Sequence, residues 1–415
     1  MANTYTPTDV YAIVNEVVKQ ATGQQSIRVV DTTSFVSVGA ILTGTQIAAE
    51  NTLNAISTVL AKTIFSQRPY RGSLDIMRVS EERWGAIVRK IIPLPTEAEK
   101  SNDYNTDVDG DQLADGESID MFKINAPKVI QLNFWGTKKL QVHITRFRDQ
   151  LSLAFTSEAE FMNFIDAIMT EFFNSLERMN EGRARLVLAN AIGGTVAMAS
   201  DAPSCIVDLT NGYNTKYSTT YTRDELLTEH AESFLKYFIS QVRTYSSRLK
   251  DSTALYHANL TGKPKILHHT PQAMRKLIMY EPYFIDSETQ VLPTVYNDQL
   301  LRLADYEGVN FWQNPETPEK VIVKPTYLNV ADGSSKDAAE SITIDCVIGM
   351  LYDIEFMGVL PQFDYSSVSP FNSAGGYWNE FYHWRFNNFT DFTENHILFI
   401  MSAGGDSKKK AAAKA

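Results

Sequence analysis

The residues with the most suggestive chemical spacing lie in an acidic stretch. Positions 1, 3, 5, 6 and 7 of a calcium-binding loop are matched by Asn105, Asp107, Asp109, Gly110 and Asp111. Position 12 should be a bidentate Glu, but it is Gly116, and Glu117 comes one residue late. A solvated acidic loop is therefore the favoured interpretation, with calcium at Asn105, Asp107, Asp109 and Asp111 as the alternative.

No other group of residues predicts a catalytic, cofactor or metal site. His268 and His269 are adjacent, so on a strand they would face opposite sides and make a poor metal pair. The chain has no Gly-x-Ser-x-Gly motif, and Thr261-Gly262-Lys263 lacks the upstream glycine of a phosphate loop. Cys205 and Cys346 are expected to be core thiols. The sequence therefore predicts a protein that is not an enzyme and needs no cofactor.

Composition limits the possible functions. The 415 residues are 44% hydrophobic and carry a net charge of -11 with no basic half, which argues against avid, charge-driven nucleic-acid binding. The chain has two cysteines, no apolar run near the roughly 20 residues that span a bilayer, and no secretion signal. We expect a protein made in the cytosol and not bound to membranes.

A long helix is the most clearly predicted element. Ser157 and Glu160 form a capping box, and an apolar stripe with helical spacing follows from Phe161 to Met179. Gly193 and Gly194 suit the left-handed residue that ends a helix. The pattern predicts one helix from Ser157 to Gly194.

The first 75 residues predict small elements without a core of their own. The patterns indicate a helix at Thr8–Ala21, strand-like pieces at Ile27–Val30 and Phe35–Leu42, and a helix at Thr45–Phe65. Such an arm is expected to lie on other parts of the chain or on other copies.

Two extended segments, Ile76–Pro93 and Pro127–Phe147, flank the acidic stretch and predict a long β-hairpin. Charged residues line both strands. They are either two solvated faces or charges that complement a neighbouring subunit, where rim charges set specificity and association rate. These residues are Glu81, Glu82, Arg83, Arg89, Lys90, Lys138, Lys139, Arg146 and Arg148.

The remaining chain predicts an inserted α+β region and a closing strand pair. Residues 195–221 read as loop, and a Thr222–Glu225 capping box opens a helix to about Lys250. Further expectations are a strand at Lys265–His268, a helix at Pro271–Met279, strands at Val321–Val323, Ile342–Ile348 and Ile354–Val359, and aromatic strands in Tyr377–Met401.

The order of these elements resembles the major capsid protein of tailed bacteriophages, which has the α+β Hong Kong 97-like fold. Three segments carry the resemblance: VGAILTGTQIAAENTLNAISTVLAKTIF (38–65), the path from Phe134 into Ser157–Glu160 and the long helix, and GGYWNEFYHWRFNNFTDFTENHILFI (375–400). They are most similar to capsid proteins of small short-tailed phages.

The resemblance implies a domain organisation. Residues 1–75 would be an N-terminal arm and 76–150 the extended loop. A peripheral domain would comprise the spine helix in 151–199 and return strands in 359–403. Residues 200–358 would be the axial domain, and 404–415 a disordered tail.

The implied function is self-assembly into hexamers and pentamers of an icosahedral or prolate head shell that encloses double-stranded DNA. Implied partners are scaffolding protein, portal and head-decoration or tail proteins, with DNA held by weak contact. The protein would reside in the virion after assembly in the host cytoplasm. An encapsulin-type nanocompartment shell, and less favoured a soluble α+β hydrolase, remain the alternatives.

Overall fold

A computed structural model provides the structure of the chain. Its helices and strands show the mixed α+β composition that the sequence predicts. None of the helices in the residues that the structure describes is long and apolar enough to cross a membrane. The described residues are 7–22, 28–43, 74–78, 87–95, 116, 118, 122, 124, 126, 128–135, 138–147, 158–283, 285 and 305–404.

The elements below are numbered in chain order. The helices are α1 Pro7–Thr22, α2 Thr32–Thr43, α3 Glu158–Ala197, α4 Leu209–Tyr217, α5 Arg223–Leu227 and α6 Ala231–Arg248. The strands are β1 Ile87–Pro93, β2 Val129–Trp135, β3 Lys138–Phe147, β4 Ile206–Asp208, β5 Arg275–Tyr280, β6 Asp305–Val309, β7 Val321–Val323, β8 Thr326–Leu328, β9 Ser335–Asp337, β10 Ile342–Ile344, β11 Val347–Asp353, β12 Met357–Val368, β13 Tyr377–Thr390 and β14 His396–Ile400.

The chain divides into two compact units. The first comprises Met1–Trp84, Gly136–Leu186 and Val359–Asn388. The second comprises Gly85–Trp135, Val187–Gly358 and Phe389–Ala415. The chain therefore passes between the units several times, and α3 and β13 each contribute residues to both.

The first unit contains a three-stranded sheet in the order β12-β13-β3. β13 pairs antiparallel with β3 from Tyr377–Phe147 to Phe386–Lys138. Alternate β13 side chains, including Trp378, Tyr382 and Trp384, are buried, as the period of two in a strand requires. The predicted aromatic strand is confirmed here.

The second unit is organised on a five-stranded sheet in the order β4-β14-β11-β5-β6. β11 pairs antiparallel with both β14 and β5, and all seven of its residues are buried. The outer pairs, β14 with β4 and β5 with β6, are parallel. Burial on both faces explains why β11 and β14 read as nearly continuous apolar runs.

The long helix is confirmed as α3, but its predicted stop signal is wrong. Gly193 and Gly194 lie inside the helix, which continues to Ala197. Their role is close packing: a Cβ at Gly193 would overlap Val323, and a Cβ at Gly194 would overlap the Phe392 ring. The glycines therefore let neighbouring segments of the second unit approach the helix backbone.

The prediction of a strand at Phe35–Leu42 is wrong, because these residues belong to α2. The Asp31 side chain accepts a hydrogen bond from the Ser34 backbone N–H at 2.8 Å, and the Ser34 hydroxyl accepts one from the Asp31 N–H at 3.0 Å. This reciprocal cap satisfies N–H groups at the helix start. Phe35, Val38 and Leu42 are then buried at helical spacing.

Two predictions around residue 270 are also wrong. Pro271–Met279 contains a short 3₁₀ turn and then β5 rather than a helix. Tertiary burial overrides helix propensity there, because β5 lies between two strands and is almost wholly buried. The predicted strand at Lys265–His268 reduces to a single bridge between Thr253 and His268.

Smaller differences occur elsewhere. The predicted extended segment at Ile76 begins in a 3₁₀ turn, Asp75–Met77, and residues 195–221 contain β4 and α4. The Thr222–Glu225 capping box is confirmed, but the helix it opens is interrupted after Leu227 and restarts at Ala231. The later predicted strands are occupied by β7, β10, β11 and β12, and Ile354 lies between β11 and β12.

Three predictions lie outside the described residues: the helix Thr45–Phe65, the Ser157 cap and the tail after Gly404.

The close packing at Gly194 gives a testable prediction. Gly194→Ala should lower the free energy of unfolding by about 1–3 kcal/mol, because the added methyl group meets the buried Phe392 ring. Gly182→Ala is the matched control, since an added Cβ there meets nothing within 4 Å. It should raise stability by roughly 0.5–1 kcal/mol through helix propensity. Denaturant unfolding of the unassembled chain measures both, and equal effects of the two variants would contradict the packing role.

Candidate functional site

The predicted hairpin is confirmed by β1 and β2. They pair antiparallel from Ile87–Trp135 to Pro93–Val129. The predicted second segment divides after Trp135, because β3 pairs with β13 in another sheet. A two-stranded hairpin is marginally stable by itself, so other contacts must hold β1 and β2 in place.

The two faces of the hairpin differ in exposure. One face turns Ile92, Leu132 and Phe134 toward the rest of the second unit, to which the hairpin belongs; Ile92 is buried, and Phe134 lies 5.9 Å from Phe389 between ring centroids. The opposite face is exposed and carries Arg89, Ile91, Pro93, Val129, Gln131 and Asn133. We call it the outward face.

Lys90, on the inner face, joins the hairpin to two turns of the second unit. Its Nζ lies 3.0 Å from the Asp391 carboxylate and 3.1 Å from the Glu355 carboxylate, and it also contacts Glu394. The Asp391 and Glu394 side chains are only 2% and 6% exposed. We call Lys90, Glu355, Asp391 and Glu394 the Lys90 cluster.

The turn between β13 and β14 positions the two buried carboxylates. The second Asp391 oxygen accepts hydrogen bonds from the Thr393 N–H and hydroxyl at 2.9 and 2.6 Å. Asn395 donates to the Thr270 hydroxyl at 3.1 Å, and its own oxygen faces His257 Nδ1 at 3.0 Å. These hydrogen bonds of Thr393 and Asn395 hold the turn that carries Asp391 and Glu394.

Burial and charge shift the pKa values around the Lys90 cluster. Burial disfavours the Lys90 ammonium, but attraction by Asp391 and Glu394 prevails and raises its pKa above the ordinary value. Burial raises the pKa of Glu394 to about 7, although Lys90 opposes the shift. Burial lowers the pKa of His268 to about 4, and its Nε2 lies 3.5 Å from Glu394.

A second buried ion pair lies in the first unit. Arg146 Nε is 3.9 Å from Glu380, which also accepts a hydrogen bond from the Tyr382 hydroxyl at 3.1 Å. Burial raises the pKa of Glu380, and attraction by Arg146 opposes this. The Arg146 side chain is only 8% exposed, so within the single chain it acts as a partner of Glu380.

The predicted subunit contacts therefore differ in exposure and in their partners within the chain. Arg89, Lys138 and Lys139 are exposed, whereas Lys90 and Arg146 are engaged within their own chain. Glu81, Glu82, Arg83 and Arg148 lie outside the described residues, as do the calcium candidates Asn105, Asp107, Asp109 and Asp111. In the described part of the chain, no three His, Cys, Asp or Glu side chains form a group that could hold a metal.

Sequence reasoning missed Asp391 and Glu394 and interpreted their surroundings only as an aromatic strand pair. Their signal was two acidic residues and an asparagine, DFTEN, inside a strongly apolar segment. Buried carboxylates need a partner, but the partner, Lys90, is 301 residues from Asp391.

The core-thiol prediction is confirmed, since Cys205 and Cys346 are both buried and free.

Removal of the Lys90 charge tests the cluster. Lys90→Met should lower the free energy of unfolding by roughly 3–5 kcal/mol, because it leaves buried carboxylates without a cation. Lys138→Met, on the exposed start of β3, should change it by less than about 0.5 kcal/mol. Denaturant unfolding measures both variants, and a Lys90→Met chain as stable as the control would exclude the cluster as an anchor.

The buried histidines and the buried carboxyls change stability in opposite directions on acidification. The pKa values of His268 and His396 are lowered from 6.5 to about 4, so the stability they contribute is present above pH 6.5 and lost on acidification. The Glu394 pKa is raised from 4.5 to about 7, so its contribution is present at low pH and lost as pH rises through 7. Burial also lowers the pKa of His257, which acts in the same direction as these two histidines, and raises the pKa values of Asp353 and Glu380, which act in the same direction as Glu394.

Glu394→Gln removes a carboxyl that opposes the histidines, so the change in melting temperature from pH 6.5 to 4.5 should be more negative in this variant than in the parent chain. Equal changes in the two proteins would contradict the shift assigned to Glu394.

Comparisons with known proteins place this geometry in a family. A family model for the Phi29-like phage major capsid protein matches residues 12–400, nearly the whole chain. Comparison with curated proteins gives no significant match.

Solved phage structures are similar to the chain. A chain in the capsid of Staphylococcus phage Andhra is 9% identical, with 81% of this chain and 88% of that chain covered and a TM-score of 0.51, which shows a shared fold. A chain in the structure of the head fibre and inner core protein gp22 of bacteriophage P68 is 9% identical, with 79% and 83% covered and a TM-score of 0.48. One in the mature capsid of bacteriophage PhiM1 is 10% identical, with 78% and 85% covered and a TM-score of 0.38.

These findings confirm the phage-capsid interpretation of the sequence, and neither the encapsulin-type shell nor the hydrolase gains support from them. The chain belongs to the Phi29-like phage major capsid protein family and is a subunit of a phage head shell.

Proposed function

We propose that this capsid subunit joins its neighbours in hexamers and pentamers through the outward face of the β1–β2 hairpin. The observation that carries the proposal is the difference between the two faces of one strand. Lys90 and Ile92 fix β1 to its own unit, whereas Ile91 and Val129 on the outward face are 58% and 59% exposed. Exposed apolar side chains on an anchored element are suited to burial against a second copy.

Arg89 adds charge to the apolar outward face. It is exposed on the same face as Ile91 and is opposite Asn133 in the ladder. An exposed arginine at the rim of an apolar contact would guide a negatively charged neighbour during association. Arg83, Lys138, Lys139 and Arg148 are proposed to act in the same way at other subunit contacts, and Glu81 and Glu82 are proposed to attract basic groups of a neighbour.

We propose that the N-terminal arm also contacts a neighbouring subunit. α1 and α2 bury Val14, Val17, Val18, Phe35, Val38 and Leu42. Asn15 clamps the segment before α2 through hydrogen bonds with the Val29 N–H and carbonyl at 2.7 and 3.1 Å. Val30 and Ile41 nevertheless stay 74% and 54% exposed, and in the shell they would contact another copy.

The capsid fold supports a proposal for the domain roles. We propose that residues 200–358 form the axial domain around the five-fold and six-fold centres, and that 151–199 with 359–403 form the peripheral domain. Residues 1–75 would be the arm, 76–150 the extended loop and 404–415 the tail. The fully buried β11 supports a rigid core for the axial role.

The other partners belong to the assembly of a phage head. We propose contacts with scaffolding, portal and head-decoration or tail proteins during assembly in the host cytoplasm. Packaged double-stranded DNA would touch the shell weakly, since a net charge of -11 disfavours binding to phosphate. We assign the subunit a structural role without catalysis.

Ile91→Glu tests the outward face. The variant should reduce shell assembly by at least about tenfold, because a charge buried at a subunit contact costs well over the roughly 1.4 kcal/mol that a tenfold change represents. Sedimentation and negative-stain microscopy of the expressed chain measure assembly. Ile91→Leu, which keeps an apolar side chain of equal size, is the matched control and should assemble normally.

Thermal unfolding of the unassembled variants separates folding from assembly. Ile91 is exposed, so Ile91→Glu should melt close to the parent chain. Normal shells from Ile91→Glu would refute the proposed role of the outward face.

A further inference from the structure

The Lys90 cluster contains more carboxylates than cations. One ammonium faces Asp391, Glu394 and Glu355, and Asp353, which is buried nearby, repels a charge on Glu394. Several negative charges out of water around one positive charge are unfavourable, so one carboxyl of such a group takes up a proton readily. Glu394 is the central member, since it contacts both Lys90 and His268.

His268 is the second group placed to exchange a proton. Its Nε2 lies 3.5 Å from Glu394 Oε1, is buried, and has no hydrogen-bond partner among the residues described. The His257 ring packs edge-on at 5.1 Å, with its own nitrogens facing Asn395 Oδ1 and the Ile266 carbonyl at 3.0 Å each. A proton on His268 would therefore be shared with Glu394 and would place a second positive charge close to Lys90.

We propose that Glu394, His268 and Lys90 form a proton-sensitive latch that sets how firmly the β1–β2 hairpin is held by the rest of the second unit. With Glu394 ionised and His268 neutral, Lys90 has its full set of carboxylates and the hairpin is held. When Glu394 becomes neutral and His268 becomes cationic, Lys90 loses one anionic partner and gains a repelling neighbour. Neither Glu394 nor His268 lies in the β1–β2 ladder, so the hairpin would loosen from its support while the pairing of its strands remains.

The latch is a property of the single chain and is independent of the proposed subunit contacts. Only its consequence depends on the proposed function: a looser hairpin would present its outward face to a neighbour over a wider range of orientations. Acidification would thereby change assembly or shell rearrangement without any change at the subunit contact.

Hydrogen–deuterium exchange on full-length, unassembled chains tests the latch directly. At about pH 4, where His268 takes up a proton, β1 and β2 should exchange about tenfold faster than at about pH 8 after correction for intrinsic rates, whereas β5 and β11 should not change. Glu394→Gln imitates the neutral carboxyl, so its hairpin should exchange at the faster, acid-like rate at both pH values. Glu232→Gln, which removes an exposed ion pair on α6, is the control and should behave as the parent.

His268→Asn provides an independent variant if Glu394→Gln folds poorly. It cannot take up a proton, so the acceleration of hairpin exchange by acid should become smaller than in the parent chain. The proposal is overturned if acid leaves parent hairpin exchange unchanged, if β5 and β11 accelerate equally, or if Glu394→Gln keeps the parent's pH dependence. None of these measurements requires assembly, so failure of the latch and failure of the proposed subunit contacts are distinguishable.

Discussion

The ion pairs between Lys90 and the buried carboxylates of Asp391 and Glu394 hold the hairpin in this structure. Two strands alone bury too little to stay in place, so the burial of Ile92 and the packing of Phe134 against Phe389 need the support of these ion pairs. Desolvation of Lys90 and two carboxylates is expensive, so the arrangement is stable only while all partners are present. That dependence makes the cluster a strong anchor and also one that responds to the loss of a single charge.

The alternation of side chains along β1 separates anchoring from assembly. Lys90 and Ile92 point into the subunit, and Arg89, Ile91 and Pro93 point away from it, because neighbouring residues of a strand face opposite sides. A shell subunit needs an anchored face and an exposed face in the same hairpin. The hairpin must be attached to its own subunit before it can bind a neighbouring subunit. The strand geometry supplies both within seven residues.

The aromatic C-terminal segment connects the two units. β13 lies in the three-stranded sheet and β14 in the five-stranded sheet, so one stretch of sequence contributes strands to both. The turn between them carries the carboxylates that bind Lys90. The polar residues of this turn thus mark the place where the chain leaves one sheet and joins the other.

Local patterns in the sequence were enough to predict α3, the Thr222 capping box and the aromatic strand β13, since each has a periodicity or a cap formed by nearby residues. The β1–β2 hairpin followed from two extended segments on either side of the acidic stretch. These patterns also supported the capsid family. The tertiary structure alone decided that Arg275–Tyr280 is a strand, because burial on both sides overrides its helix propensity. It likewise decided that Gly193 and Gly194 serve packing and that Lys90 binds Asp391, 301 residues away. Contacts between distant segments arise only when the chain has folded, and no local spacing records them.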